Sequence, residues 1–422
     1  MGATGQSHRP PDFPAAGSLQ EFIRLEARRQ RVRLPDRGAA VLARLGYDLE
    51  CELKNAALRL FWKRHALPGR PERLVPSPKP RHYRTTSKRR CRQGGAAAGR
   101  AVQNGRKRIF FEGEEAARLE PAEHIQVFHA MEQWLARPEF ARLARSLHFV
   151  ILRGTYAELM VIFNFHSMDR EVNRLLLRIL PLLRALPVHV ISAFLFLDPG
   201  RSPYYLETGV PRGAFPIKRL FGPERFRLVL EGIAFAVPPT VFSQVNESIL
   251  PSMLETVGAL LAGEETPRLL DLYCGYGLFT HSLRPRYREI IAIDAASAAV
   301  RAGREQPGFL APFASHAGRA RVTFKSMTIS RCNLDSALPL PLAPGEEDVI
   351  LDPPRKGADG AVIRAVARRR PGRVLHLFCA SEEIPAALRE WRKSGYHVRR
   401  VVPLDMFAGT PQLETLVLLS PA

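Results

Sequence analysis

The sequence predicts an α/β protein whose C-terminal part, from about residue 233, is a parallel, doubly wound sheet. Three observations carry that reading. Short apolar strands alternate there with helical stretches. The first of those strands runs into a glycine-rich turn, DLYCGYGLF, from Asp271 to Phe279. Two later strands end in acids, Asp294 and Asp352, at the strand end where open α/β sheets hold ligands.

Taken in order, the strands of this part are PRLLDLY, EIIAID, RVTF, EDVILD, RVLHLF, HVRRVVPL and QLETLVLL. Helical spacing fills Glu247 to Leu261, Ala296 to Arg304, Ala361 to Arg369 and Glu383 to Lys393. The last two strands are close enough in sequence to form a hairpin at one edge of the sheet. Two further sections precede it. Residues 1–72 are helical in pattern, in LQEFIRLEARRQRVRL and AAVLARLGYDLECELKNAALRLFW, with no role legible in them. Residues 73–232 are mixed: LHFVILRG and AELMVIFNF read as adjacent strands turning at Gly154 and Thr155, and VHVISAFLFL as a strand. REVNRLLLRILPLLRAL reads as a helix that Pro181 kinks or breaks. The sections are therefore 1–72, 73–232 and 233–422.

Composition bounds the function. Of 422 residues, 46% are hydrophobic, enough for a buried core, while 62 Lys and Arg against 41 acids leave a formal charge of +21. A field of that sign favours polyanions. The excess is concentrated: from Arg73 to Phe111 there are twelve cations, Arg100, Arg106, Lys107 and Arg108 among them, and no acid. Its centre, GGAAAGRAVQNG, reads as flexible loop. Arg81, Arg84, Lys88, Arg89 and Arg90 are candidate phosphate contacts, and Tyr83 among them could stack on an unpaired base. A solvated basic loop is the plainer alternative. Five scattered cysteines, never spaced C-x-x-C, point neither to a disulfide framework nor to a structural metal. The N-terminus lacks a signal-peptide core, Gln6 stands where a myristoylation signal needs Ser or Thr, and no apolar run is long enough to span a bilayer. A cytoplasmic protein with no obligate protein partner is the expectation.

Gly275 and Gly277 let the backbone turn tightly beside a ligand, and the loop is not the G-x-G-x-x-G of dinucleotide sites. Asp294 can accept hydrogen bonds from a ribose. DPPRKG fixes Asp352 in a rigid turn and leaves Arg355 and Lys356 at its mouth.

FSQVNESIL (Phe242 to Leu250), DLYCGYGLF, DPPRKG, the strand ending at Cys379 and DMFAGTPQLE (Asp405 to Glu414) together resemble the RNA uracil-5-methyltransferase family in order and spacing. The resemblance covers roughly the last 180 residues and extends weakly to LVPSPKPRHYR. It implies a Rossmann-like class I methyltransferase domain at the C-terminus, a central α/β RNA-contacting domain, and tRNA or rRNA as the substrate. It further implies that Gln244, Tyr273, Asp294 and Asp352, with the turn glycines, hold S-adenosylmethionine, that Cys379 is the nucleophile, and that Glu414 is the base. Those residue types suit the reaction. C5 of uracil is a poor nucleophile until a thiolate adds to C6, and the C5 proton must then be removed. Arg355, a fixed cation, would favour the thiolate or grip a phosphate.

The chain departs from the family pattern in several places. Phe378-Cys379-Ala380-Ser381 stands where Ser-Cys-Asn-Pro is usual, Ala408 and Gln412 replace a Pro and a His, and Leu278 replaces an Asn. No cysteine cluster for an iron–sulfur centre and no N-terminal β-barrel are visible. Cytosine-5 chemistry would call for a second cysteine in the proline motif, and adenine N6 chemistry for an aromatic where Arg355 stands. The remaining alternative is a catalytically silent RNA-binding protein that keeps the fold.

Overall fold

A computed structural model describes residues 17–93, 109–112, 117–202, 206, 217–263, 265–305, 308–309 and 320–422. The chain begins with helices α1 (Leu19–Arg29) and α2 (Tyr47–Arg64). Ser18 and Glu21 form a capping box on α1, satisfying backbone donors the helix cannot. A six-stranded sheet follows, built from β1 (Thr86–Gln93), β2 (Ile109–Phe111), β3 (Leu147–Gly154), β4 (Leu159–Phe165), β5 (Val190–Leu197) and β6 (Lys218–Phe221), in the order β2-β1-β3-β4-β5-β6. Helices α3 (Ala122–Leu135), α4 (Ala141–Ser146) and α5 (Arg170–Arg184) cover one face of it. The other face packs on a hairpin, β7 (Phe226–Leu230) and β8 (Ile233–Val237), and through it on the C-terminal part.

The C-terminal part runs α6 (Leu250–Leu260), β9 (Arg268–Leu272), α7 (Leu278–Ser282), β10 (Glu289–Asp294), α8 (Ser297–Arg304), β11 (Gly308–Phe309, paired with β8), β12 (Arg321–Ser326), α9 (Arg331–Ala337), β13 (Glu347–Leu351), α10 (Gly360–Arg368), β14 (Arg373–Phe378), α11 (Ile384–Lys393), β15 (Tyr396–Leu404) and β16 (Glu414–Pro421). The sheet order is β12-β10-β9-β13-β14-β16-β15, parallel except for β16, which enters antiparallel between β14 and β15. All seven strands foreseen in this part are present, and the last two form the expected edge hairpin.

Three features were not foreseen. The boundary placed near residue 233 falls inside the β7–β8 hairpin, whose two strands share one register. Pro181 does not break α5, which continues to Arg184. The carbonyl deprived of its partner belongs to Leu177, which is 52% exposed and so lies on the solvent side of the helix, where the loss costs least. The basic run is not simply a loop: Thr86–Gln93 is strand β1, pairing with β3 from Thr86↔Arg153 to Arg90↔Phe149. The Gly/Ala-rich stretch 94–105 and Arg100, Arg106, Lys107 and Arg108 lie outside the described residues.

The N-terminal helices belong to the C-terminal core. Phe22, Ile23, Leu58, Phe61 and Trp62 pack with residues of β9, β13, α10 and α11 in one apolar cluster. The chain leaving α2 then borders β15. The Glu72 and Val75 N–H groups donate to the Val401 and Pro403 carbonyls, both at 2.9 Å, which covers a sheet edge that would otherwise be open.

Candidate active site

Sheet register assembles the site. Phe378 pairs with Thr415 across β14 and β16, so the next position outward sets Cys379 beside Glu414. In the parallel strands, Leu351 stands level with Leu272 and His376, and Asp352 follows it, its N–H donating to the Leu272 carbonyl at 3.2 Å. Asp294 ends β10. Tyr273, Asp294, Asp352 and Cys379 thus leave the carboxyl ends of β9, β10, β13 and β14, and Glu414 opens the antiparallel β16 at the same edge.

The turn after β9 is shaped by backbone geometry. Tyr273 has φ +66°, a left-handed conformation costly for a tyrosine, and its N–H donates to the Ile293 carbonyl at 2.8 Å. Gly277, at φ +84°, admits no side chain, since a Cβ would come within 2.8 Å of the Phe324 ring. The Gly275 and Ala296 N–H groups donate to the two Asp294 oxygens at 2.9 and 2.7 Å, which fixes that carboxylate against the turn. Beside Gly275 a Cβ would meet nothing within 4 Å, so the loop faces open space.

Negative charge accumulates at this edge with little to offset it. Asp271 accepts from Thr280 at 2.5 Å through one oxygen, while the other is buried without a hydrogen-bond partner among the described residues. Burial, opposed by Thr280 and reinforced by Asp294, lifts its pKa to about 6. Burial, then Asp271 and Asp294, push Asp352 to about 7. Glu414 is 1% exposed, its Oε1 has no partner among the described residues, and burial with Asp352 holds its pKa well above the carboxylate range. Burial, then Glu414 and Asp352, drive Cys379 to about 12. Arg355 pulls against both from an exposed position, donating to Gln412 Oε1 at 2.9 Å. Burial and the two carboxylates thus work against a Cys379 thiolate, and the exposed Arg355 guanidinium works for it.

The remaining expectations divide. Gln244 lies half-buried in the loop between β8 and α6. That loop is held from the central sheet by buried Arg153 of β3, which donates to the Pro239 carbonyl and Ser243 Oγ, each at 2.8 Å. Three RNA-contact expectations are corrected. Tyr83 is fully buried with its hydroxyl on the Ala408 carbonyl at 2.9 Å, so neither ring face can receive a base. Arg81 donates to the carbonyls of Leu42, Ala43, Leu45 and Pro80 and to Glu50. Arg89 is buried in an ion pair with Glu120 and lies over the Phe128 ring. Lys88 is exposed, Arg90 half-buried, and both lie over the Phe149 ring. Half-buried Arg84 donates to the Thr86 carbonyl. Residues that the sequence reading gave no role are Arg153, Asp271, Thr280 and Phe242, the last 55% exposed just before Gln244. An apolar ring left in water beside a site motif is the signal that would have found Phe242.

No group of three or more His, Cys, Asp or Glu suited to a metal occurs among the described residues, and none of their helices is long and apolar enough to cross a membrane.

Strand order, the antiparallel β16 and a site at the carboxyl edge define an α/β methyltransferase fold. The tRNA (uracil-54, C5)-methyltransferase of Pyrococcus abyssi, solved with S-adenosyl-L-homocysteine, shares it: TM-score 0.61, 20% identity, 91% of this chain and 86% of that one covered. Residues 224–306 match the family model for tRNA (uracil-5-)-methyltransferases. An uncharacterized RNA methyltransferase of Thermotoga maritima is 26% identical over 88% of this chain and 80% of its own length. The 23S rRNA (uracil(1939)-C(5))-methyltransferase RlmD of Pectobacterium atrosepticum is 31% identical over 44% of this chain, a match spanning 39% of that protein. Over these segments the chain is similar to RNA uracil-5-methyltransferases, the family its motifs resemble.

Proposed function

We propose that the protein methylates C5 of a uridine in tRNA or rRNA, using S-adenosylmethionine and a covalent Cys379–C6 adduct. The observation that carries this is the β14–β16 register, which sets a cysteine beside a buried, unpaired carboxyl at the ligand edge of the sheet. The residues present fit the cofactor: the loop at Gly275 opens onto free space, and Asp271, Asp294 and Asp352 concentrate negative charge. Gln244, Tyr273, Gly275, Gly277, Asp294 and Asp352 would hold it. Bound there, it supplies an electrophilic methyl group on a cationic sulfur.

The protein's own part is proton handling and positioning. Cys379 must lose its proton before Sγ bonds to C6, and the neighbouring carboxylates are the acceptors within the site. The electron pair that this addition delivers to C5 forms the bond to the methyl group, whose bond to sulfur breaks with its electrons leaving on the sulfur as neutral S-adenosylhomocysteine. Glu414 in its ionised form removes the C5 proton, and the returning electron pair restores the C5–C6 double bond as Sγ leaves C6. Arg355, tied to Gln412, moderates the negative charge at the mouth. The exposed row of β1, Lys88 with Arg90, stands on the sheet face that looks toward the methyltransferase part and carries RNA backbone, with Arg84 between that row and the cofactor loop. Residues 73–232 are read as the RNA-contacting section and 233–422 as the methyltransferase section of a cytoplasmic enzyme.

The test is transfer of labelled methyl from S-adenosylmethionine to unmodified, size-fractionated RNA, digested to nucleosides, with wild type beside Cys379→Ala. The expected result is label in 5-methyluridine, absent in the variant, with the labelled fraction naming the RNA class. RNA containing 5-fluorouridine should form a Cys379-dependent adduct, since fluorine cannot leave as the proton does. The altered Ala380–Ser381 flank, and the burial and carboxylates that raise the Cys379 pKa, favour a second reading, a silent RNA-binding protein. RNA binding with neither label nor adduct would establish it.

A further inference from the structure

The hairpin tip between β15 and β16, residues 405–413, joins the Leu404↔Glu414 pair and carries Gln412, so its placement sets the placement of Glu414. Almost every polar contact recorded for residues 405–409 reaches the first 83 residues. Lys54 of α2 is fully buried, its Nζ 2.6 Å from Asp405 Oδ1, 2.8 Å from Glu50 Oε1 and 3.5 Å from the Phe407 carbonyl. Glu50, fully buried one turn earlier, accepts from the Gly409 N–H at 2.5 Å and from Arg81 at 2.8 Å. The Tyr47 hydroxyl donates to Asp405 Oδ2 at 2.9 Å, the Tyr83 hydroxyl to the Ala408 carbonyl at 2.9 Å, and the Leu42 N–H to the Gly409 carbonyl at 3.0 Å. Gly409 itself, at φ +82°, lies so close to Leu119 and Ala43 that a Cβ would come within 2.6 Å of Leu119 Cδ2. Two exceptions remain: the Thr410 N–H and Oγ1 donate to the Phe407 carbonyl inside the tip, and Asn246 Nδ2, from the Gln244 loop, donates to the Met406 carbonyl at 3.2 Å.

A fully buried lysine between two carboxylates is a costly way to hold a helix down, and apolar residues would pack as well. Its polar groups do what apolar ones cannot: they fix individual backbone atoms of the tip in direction and distance. We infer that α2 is a positioning element of the active site, with Glu50 and Lys54 as positioning residues that hold the 405–413 tip, and through it Glu414, against Cys379. The inference rests on the proposed function for its catalytic consequence, though not for its structural one.

The test uses the full chain with Lys54→Met, Glu50→Gln and Tyr47→Phe, beside Leu58→Ala as a control. Leu58 is buried in the same helix and, being apolar, makes none of the tip's hydrogen bonds or ion pairs, so its loss should lower melting temperature alone. Two readouts are taken well below each melting temperature. Hydrogen exchange of the peptide spanning 405–413 should speed up in all three cluster variants and not in Leu58→Ala. In methyl transfer, kcat should fall roughly 10–100-fold for Lys54→Met, as misplacement by about an ångström does, and less for Tyr47→Phe, with S-adenosylhomocysteine affinity within about twofold of wild type. Should Lys54→Met not fold, the two milder variants decide. Exchange in 405–413 and kcat matching those of Leu58→Ala would overturn the inference. A wild type that makes no 5-methyluridine would sink the proposed function instead, and exchange would still judge the clamp.

Discussion

Two clusters of buried ionisable groups stand at either end of one hairpin tip, and they are built in opposite ways. At Asp405, two acids, Glu50 and Asp405, meet two bases, Lys54 and Arg81, and every charge has a partner within 2.8 Å. Burial alone would lower the Lys54 pKa, yet Asp405 and Glu50 lift it above its ordinary value. At Glu414, by contrast, Asp271, Asp352, Glu414 and Cys379 are all pushed upward, and among the described residues Arg355 pulls down only Cys379 and Glu414. An upward carboxyl shift does not by itself distinguish the clusters, since burial raises Asp405 too, against the pull of Lys54. Supply of counter-charge does: a compensated cluster has one charge state and holds structure, whereas an uncompensated one can take up and release protons near neutrality.

The comparison breaks most visibly at Glu414. Glu414→Gln should lower methyl transfer roughly 10²–10⁴-fold, the usual worth of a positioned base. Protein-linked RNA, visible as a Cys379-dependent band on a denaturing gel, should accumulate because the C5 proton stays in place. Its melting temperature should not drop, for the carboxyl that is replaced has a buried oxygen, Oε1, with no partner among the described residues. Asp405→Ala should behave in reverse. It leaves buried Lys54 with Glu50 alone, a carboxylate that Arg81 and the Gly409 N–H already share, and should cost about 3 kcal/mol in denaturant unfolding. Equal stability losses in the two variants would erase the distinction.

The same contrast recurs along one strand. Arg89 faces the covered side of the central sheet in its ion pair with Glu120, while Lys88 and Arg90 face the other side over Phe149. Replacing Lys88 and Arg90 with Gln should weaken RNA binding and lower the slope of log K against log salt by roughly 1.4, at about 0.7 per phosphate contact for single strands. Arg89→Ala should leave that slope in place and destabilise the fold. Affinity titrations at three salt concentrations separate the two outcomes.

This strand also shows where the sequence stops being legible. Thr86–Gln93 alternates, but with arginines on both faces, so no apolar period of two marks it as a strand. The inward arginine becomes intelligible only once Glu120 is seen across from it. Tyr83 reads as a stacking platform by its neighbours in sequence, and is core by its neighbours in space. The C-terminal sheet was legible because its strands are continuous apolar runs buried on both faces, bounded by helices and turns. Within the site, the glycine turn, Asp294 and Asp352 follow from local pattern. The pairing of Cys379 with Glu414 does not, since it depends on β16 reversing direction between β14 and β15, and only the family resemblance anticipated it. Glu50 and Lys54 look like any helical i,i+4 pair on a solvated face; their burial is decided by the hairpin tip from the far end of the chain.

The gentlest probe of the comparison is pH. Asp352 has its pKa raised from 3.8 to about 7 by burial, then by Asp271 and Asp294, so folding favours its protonated form. The stability this contributes is complete below the unfolded value and is lost as pH rises through the folded one. Wild type should therefore lose melting temperature between about pH 4 and pH 7, and Asp271, raised to about 6 by burial, adds to the loss over the lower part of that range. Asp352→Asn should flatten the profile and leave the acid end where it was. Lys54, raised above 10.5, stays charged throughout the window and so imposes no slope of its own. A cationic ligand seated by these carboxylates should lower their pKa values, so S-adenosylmethionine should release more protons on binding near pH 7 than uncharged-sulfur S-adenosylhomocysteine. Calorimetry in two buffers of different ionisation enthalpy reads that difference directly. Equal proton release, with the Asp352→Asn profile still sloping, would mean that the charge at this edge is compensated after all, and that the two ends of the hairpin tip differ less than their neighbours imply.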